Sequence, residues 1–176
     1  MWIAIVLFIA CLVLFLMMSN RDMNKLVTFK EKNPDVYQKY KGAFDSQPGD
    51  FSMVKMAIDT VEERLLPGEE IRYSFARPRY QNKDINVYIL TSKRYIYYGI
   101  RLTKKDFKSI PYDKMENIDI TDKAMATELD VKSKEEKIHV SFVSVHKNYF
   151  DEFYVFLSEK QLNPSETKVE LTKADI

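Results

Sequence analysis

Glycine is scarce in this chain of 176 residues, with four in all, and none stands in a GxGxxG or GxxxxGK pattern. A phosphate cradle of the usual glycine-rich kind is therefore absent, and so is a GxSxG nucleophile turn. The single cysteine, Cys11, excludes an internal disulfide and reads as a small apolar filler. His139 and His146 are the only histidines, in or after one predicted strand, and no His or Cys cluster has metal-ligand spacing. The adjacent acids Glu62-Glu63, Glu69-Glu70 and Glu135-Glu136 sit beside turns and read as solvated charge. These absences weigh against an enzyme and imply no cofactor and no metal. An excess of one charge is missing too: 27 Lys and Arg stand against 26 Asp and Glu. The chain as a whole has no bulk attraction to nucleic acid.

What is present begins at Met1. Met1 to Met18 is a run of uncharged, almost wholly apolar residues. At about 1.5 Å per helical residue it covers roughly 27 Å, close to the roughly 30 Å hydrocarbon core of a bilayer. A cleavable signal would carry a basic stretch before the run and small residues at its end. Here no Lys or Arg precedes it, and Phe15-Leu16-Met17-Met18 closes it with large side chains. Phe8-Ile9-Ala10-Cys11 ends in a cysteine as a lipoprotein signal does, but apolar residues continue beyond it. The run is expected to be an uncleaved, single-pass transmembrane helix. Arg21, Lys25, Lys30 and Lys32 follow it, and basic flanks resist translocation. The expected place is the cell membrane, with the N-terminus outside and the C-terminal domain cytoplasmic.

The expected organisation is a transmembrane helix at 1–18, a helical connector at 19–50, a β domain with its preceding amphipathic helix at 51–161, and a disordered charged tail at 162–176. In the connector, Asn33-Pro34 interrupts a first helix, and Tyr37, Tyr40 and Phe44 then recur at helical spacing. Asp50 is placed to cap the next helix. Its Phe51, Val54, Ile58, Val61 and Leu65 make one apolar stripe, which is expected to dock on the domain's own sheet.

After Pro67-Gly68 the period changes to two. Ile71, Tyr73 and Phe75 alternate with Arg72 and Ser74 until Arg77-Pro78-Arg79 breaks the run. Further strands are expected at 85–91, 95–100, 107–111, 115–120, 127–132 and 137–145. An amphipathic helix from Asn148 follows, with Phe150, Phe153, Tyr154 and Leu157 on one face. Short strands without intervening helices argue an antiparallel sandwich or partly open barrel.

Three segments carry a resemblance. Leu65-Leu66-Pro67-Gly68-Glu69-Glu70 leads into a strand, Leu90-Thr91-Ser92-Lys93-Arg94-Tyr95-Ile96 crosses a hairpin, and Ser109-Ile110-Pro111-Tyr112-Asp113-Lys114-Met115 precedes a strand. In this order they resemble the bacterial pleckstrin-homology-like domain family over about Leu65 to Lys160. The resemblance implies a mainly β fold: two near-orthogonal antiparallel sheets in a PH-like barrel or sandwich, capped by the C-terminal helix. It also implies a binding rather than a catalytic role, with no active site.

From Ala76 to Lys108, nine basic residues stand against Asp84 and Asp106. Arg77, Arg79 and Lys83 fall at the first predicted hairpin loop, which in eukaryotic members of the superfold commonly holds phosphoinositide headgroups. Lys104, Lys105 and Lys108 fall at the loop after the third strand, expected at the same end. Lys93 and Arg94 either hold their own turn or join this basic surface. Tyr95, Tyr97 and Tyr98 read as packing residues. The expected function is a non-catalytic scaffold that presents a PH-like domain to an unknown protein partner, with homo-oligomers possible. The alternative is a sensor of anionic phospholipid headgroups that uses the eight basic residues.

Overall fold

The computed structural model describes residues 2–79, 84–101, 104–143 and 146–163, apart from the side chains at 3, 4, 10–16, 18, 19, 78, 79 and 101. The expected tail therefore lies almost wholly outside the described residues.

Helix α1 is continuous from Trp2 to Lys32, so the apolar run and the first part of the connector share one helix. Among the described residues no helix is long and apolar enough to cross a membrane. Much of the run's side-chain content, positions 10–16 above all, lies outside those residues. Asn33 ends α1, and two short helices follow, α2 (Pro34–Lys39) and α3 (Lys41–Ser46). Proline at the first position of α2 sacrifices no helical hydrogen bond. A 3₁₀ turn, Pro48–Asp50, leads into α4 (Phe51–Glu62), and Gly68 makes the turn beyond it with φ of 65°, a conformation only glycine adopts freely.

Two antiparallel sheets follow. The first has the order β1 (Ile71–Arg79), β2 (Asp84–Thr91), β3 (Arg94–Arg101) and β4 (Lys104–Pro111). The second has β5 (Asn117–Lys123), β6 (Ala126–Lys132) and β7 (Lys137–Val143). Helix α5 (Lys147–Leu162) closes the domain. The expected break at Arg77-Pro78-Arg79 does not occur, since β1 runs on to Arg79 with Pro78 opposite Ile85. A single partner strand explains it, because on an edge strand a missing N–H can face away from the ladder.

The first sheet is covered on both faces, which is why β2 and β3 are almost continuously buried. One face carries Ala76, Ile85, Val87, Ile89, Ile96 and Tyr98 against Tyr40, Phe44, Phe51, Val54, Ile58 and Val61 of the helices. The stripe of α4 thus docks on the domain's own sheet. The other face presents Phe75, Tyr88, Leu90 and Tyr95 to Leu129, Val140 and Phe142 of the second sheet and to Phe153 and Leu157 of α5.

Tyr95 and Tyr98 are fully buried, and among the described residues neither hydroxyl has a hydrogen-bond partner. An unpaired buried hydroxyl carries a desolvation penalty without return. Tyr95→Phe and Tyr98→Phe should each raise stability by about 1 kcal/mol. The denaturant midpoint at unchanged slope measures it, and a lowered midpoint would mean that the hydroxyl is bonded in solution.

Candidate functional site

Strand register sorts the eight basic candidates by place. Arg79 lies opposite Asp84, Ile85 opposite Ile100, and Arg101 opposite Lys104. The β1–β2 and β3–β4 connections therefore share one end of the sheet, the loop end. The β2–β3 turn marks the other, the turn end.

Lys104 and Lys105 are exposed at the loop end and make no ion pair among the described residues. Lys83 and the side chain of Arg79 lie outside the described residues. Arg77 is half-buried and ties the two sheets together, its Nη1 donating to the Ser141 carbonyl at 2.8 Å. Lys108 stands mid-strand opposite Tyr97, with Nζ 3.3 Å from the Lys137 carbonyl and 3.9 Å from Glu136.

Lys93 and Arg94 belong to the turn end and do not join the loop-end surface. Arg94 donates through Nε and Nη2 to the two carboxylate oxygens of Glu69, each at 3.0 Å, and through Nη2 to the Arg64 carbonyl at 2.7 Å. The Glu69 side chain has 0% exposure and that of Arg94 12%, so the expectation of a solvated Glu69 is corrected to a buried ion pair. Thr91 Oγ1 donates to Glu69 at 2.6 Å and accepts from the Lys93 and Arg94 amides, while the Leu66 amide reaches the other Glu69 oxygen at 2.7 Å. Lys93 Nζ donates to the Pro67 carbonyl at 2.6 Å, and the Tyr112 hydroxyl meets the carbonyls of Thr91 and Arg94 at 2.9 and 3.0 Å. Burial alone would push the Glu69 carboxyl up. The bonds from Arg94, Leu66 and Thr91 outweigh it and hold it below the ordinary value. The three sequence segments singled out above thus meet in one buried polar cluster that fixes the fold.

The joint between α1 and the domain is a feature that sequence reading missed. Asp50 makes no capping bond with its side chain. Asp22, 30 positions before Ser52, takes that role: its Oδ2 accepts the Ser52 amide at 3.3 Å and its Oδ1 the Ser52 hydroxyl at 2.9 Å, with Lys25 Nζ at 2.8 Å. Burial would raise the Asp22 carboxyl, but the bonds from Lys25 and Ser52 hold it below its usual value. About two turns further on, Phe29 packs on Phe44 and Phe51 at ring distances of 5.5 and 5.3 Å. A charged residue on a predicted surface helix carries no local sign of a remote capping role.

His139 pairs with Asp130 on the outer face of the second sheet at 2.9 Å. His146 precedes α5 and packs edge-on against Phe75, and burial and the Arg77 charge lower its pKa. Among the described residues no group of three or more His, Cys, Asp or Glu could hold a metal ion.

A family model described as the bacterial PH domain matches residues 65–159. A solved structure, a DUF1696 family protein with a pleckstrin-homology domain from Shewanella loihica, is similar at 12% identity and a TM-score of 0.43, covering 61% of this chain and 95% of that chain. No curated protein matches.

Proposed function

Because the chain belongs to the bacterial PH domain family through residues 65–159, we propose that it is a single-pass membrane protein whose PH domain is a non-catalytic scaffold for a protein partner. The observation that carries this reading is the state of α1. Trp2, Ile5, Val6, Leu7, Phe8, Ile9 and Met17 are exposed, with Trp2 at 79%, and they lie around the helix rather than on one stripe. A helix apolar all round needs a protein core or a bilayer to cover it. The basic residues after the run support a domain on the cytoplasmic side, with the N-terminus outside. The buried turn-end cluster and the two-sided packing make the domain a rigid body suited to presentation.

The lipid-sensor alternative rests on less than the composition promised. Arg94, Lys93 and Arg77 are engaged within the fold, and Lys108 is held near Glu136, which leaves Lys104 and Lys105 as free cations among the described candidates. Two lysines near an anionic leaflet supply about 2 kcal/mol of non-specific attraction.

Alkaline extraction of membranes from cells that make the full chain tests the anchor. The chain should stay in the pellet, and a version lacking residues 2–18 should appear in the soluble fraction. Release of the full chain with peripheral proteins would overturn the reading.

A further inference from the structure

We propose that α1 is a rigid mast that fixes the orientation of the domain, with the loop end of the first sheet turned toward the anionic membrane surface and the turn end directed away from it. The inference rests on the membrane anchoring proposed above and adds a direction to it.

Four contacts give the direction. The Ala43 amide donates to Ser74 Oγ and the Ala76 amide donates to Ser46 Oγ, so α3 advances in the same sense as β1, toward the loop end. The chain then passes through Pro48–Asp50 into α4, which therefore starts near the loop end. Just past the other end of α4, the Arg64 carbonyl meets Arg94 and the Pro67 carbonyl meets Lys93, both at the turn end. Helix α4 thus runs from loop end to turn end.

The chain from Asp22 onward advances in the same sense as α4. Asp22 holds Ser52 at the start of α4, Phe29 lies under Lys55 Nζ, and Lys39 and Tyr40, at the end of α2, both reach Glu62, the last residue of α4. Followed backwards, α1 leaves the domain past the start of α4, on the loop-end side. Met18 and Asp22 are separated by about 6 Å of helix, so the clamp begins one turn after the apolar run. No glycine or proline interrupts α1 to serve as a hinge. Arg21, Lys25, Lys104 and Lys105 then form the face nearest the headgroups, where each basic residue is worth up to about 1 kcal/mol. β3 has 8 residues, which puts the two ends of the sheet roughly 25 Å apart. A partner in the cytoplasm would meet the turn end.

The test uses the full chain carrying Cys11→Ala and one labelled cysteine, either Lys104→Cys at the loop end or Leu66→Cys at the turn end, in phosphatidylglycerol-containing vesicles. A lipid with a nitroxide in its headgroup should quench the label at 104 severalfold more than the label at 66. Equal or reversed quenching on vesicle-bound protein overturns the orientation while leaving the anchor intact. Failure of the chain to float with the vesicles overturns the anchor reading, and this inference with it. Adding Asp22→Ala and Phe29→Ala should abolish the contrast without loss of flotation. A contrast that survives shows that the clamp is not what sets the direction.

Discussion

Arg94→Ala is expected to destabilise the domain by about 3–5 kcal/mol, the usual cost of removing one partner of a buried ion pair. Glu69 would be left as a carboxylate with 0% exposure, holding only the Leu66 amide and the Thr91 hydroxyl. The Arg64 carbonyl loses a donor at the same time. At roughly 2–4 °C per kcal/mol for a domain of this size, the melting temperature should fall by about 10 °C. Thermal unfolding of the full chain in a mild detergent measures it. In a Glu69→Gln background the same substitution should cost much less, because no buried charge is stranded. An equal loss in both backgrounds would show that the ion pair is not the source. The pH dependence has a definite sign. The Glu69 carboxyl is held below its ordinary value, so its contribution is fully present above the unfolded carboxyl pKa of about 4.3 and is lost as pH falls through the folded value. Arg94→Ala should therefore flatten the acid limb of the stability curve.

The second large effect is expected at Gly42. A Cβ there would collide with the backbone carbonyl oxygen of Ser74, which cannot swing aside as a flexible side chain would. Helix α3 rests on the free edge of β1 at this point, with Ala43 and Ser46 each joined to it by one hydrogen bond. Gly42→Ala must push helix and strand apart and weaken both bonds. At about 1 kcal/mol per bond, together with overpacking of about 1–3 kcal/mol, the loss should be roughly 3 kcal/mol. Hydrogen exchange gives a local readout, since the Ala76 amide should lose protection while amides in β6 keep theirs. Unchanged stability and unchanged protection would mean that α3 does not seal this edge in solution.

Much of the fold was legible because it depends on local periodicity. The change after Gly68 from helical spacing to alternation, and the turn residues between strands, place all seven strands of the two sheets. The stripe of α4 was legible for the same reason. Pro78 misled because the cost of proline in a strand depends on whether that strand has one neighbour or two. Glu69 misled because a charged pair beside a turn has the same local sequence whether or not an arginine 25 positions later folds back over it.

The basic surface divided along the same line. The sequence by itself determined that cations are concentrated between Ala76 and Lys108, that the first helix begins with an uncharged run, and that no recognised catalytic motif is present. Only the tertiary structure decided that Arg94 and Lys93 belong to a buried cluster, that Arg77 joins the sheets, and that Lys104 and Lys105 are left exposed. It also decided that Asp22, rather than Asp50, caps α4 and so couples α1 to the domain. Hydrophobic patterning is a property of neighbours a few residues apart and can be read along the chain. The partner of a charge is found through space, and only the folded chain brings it near.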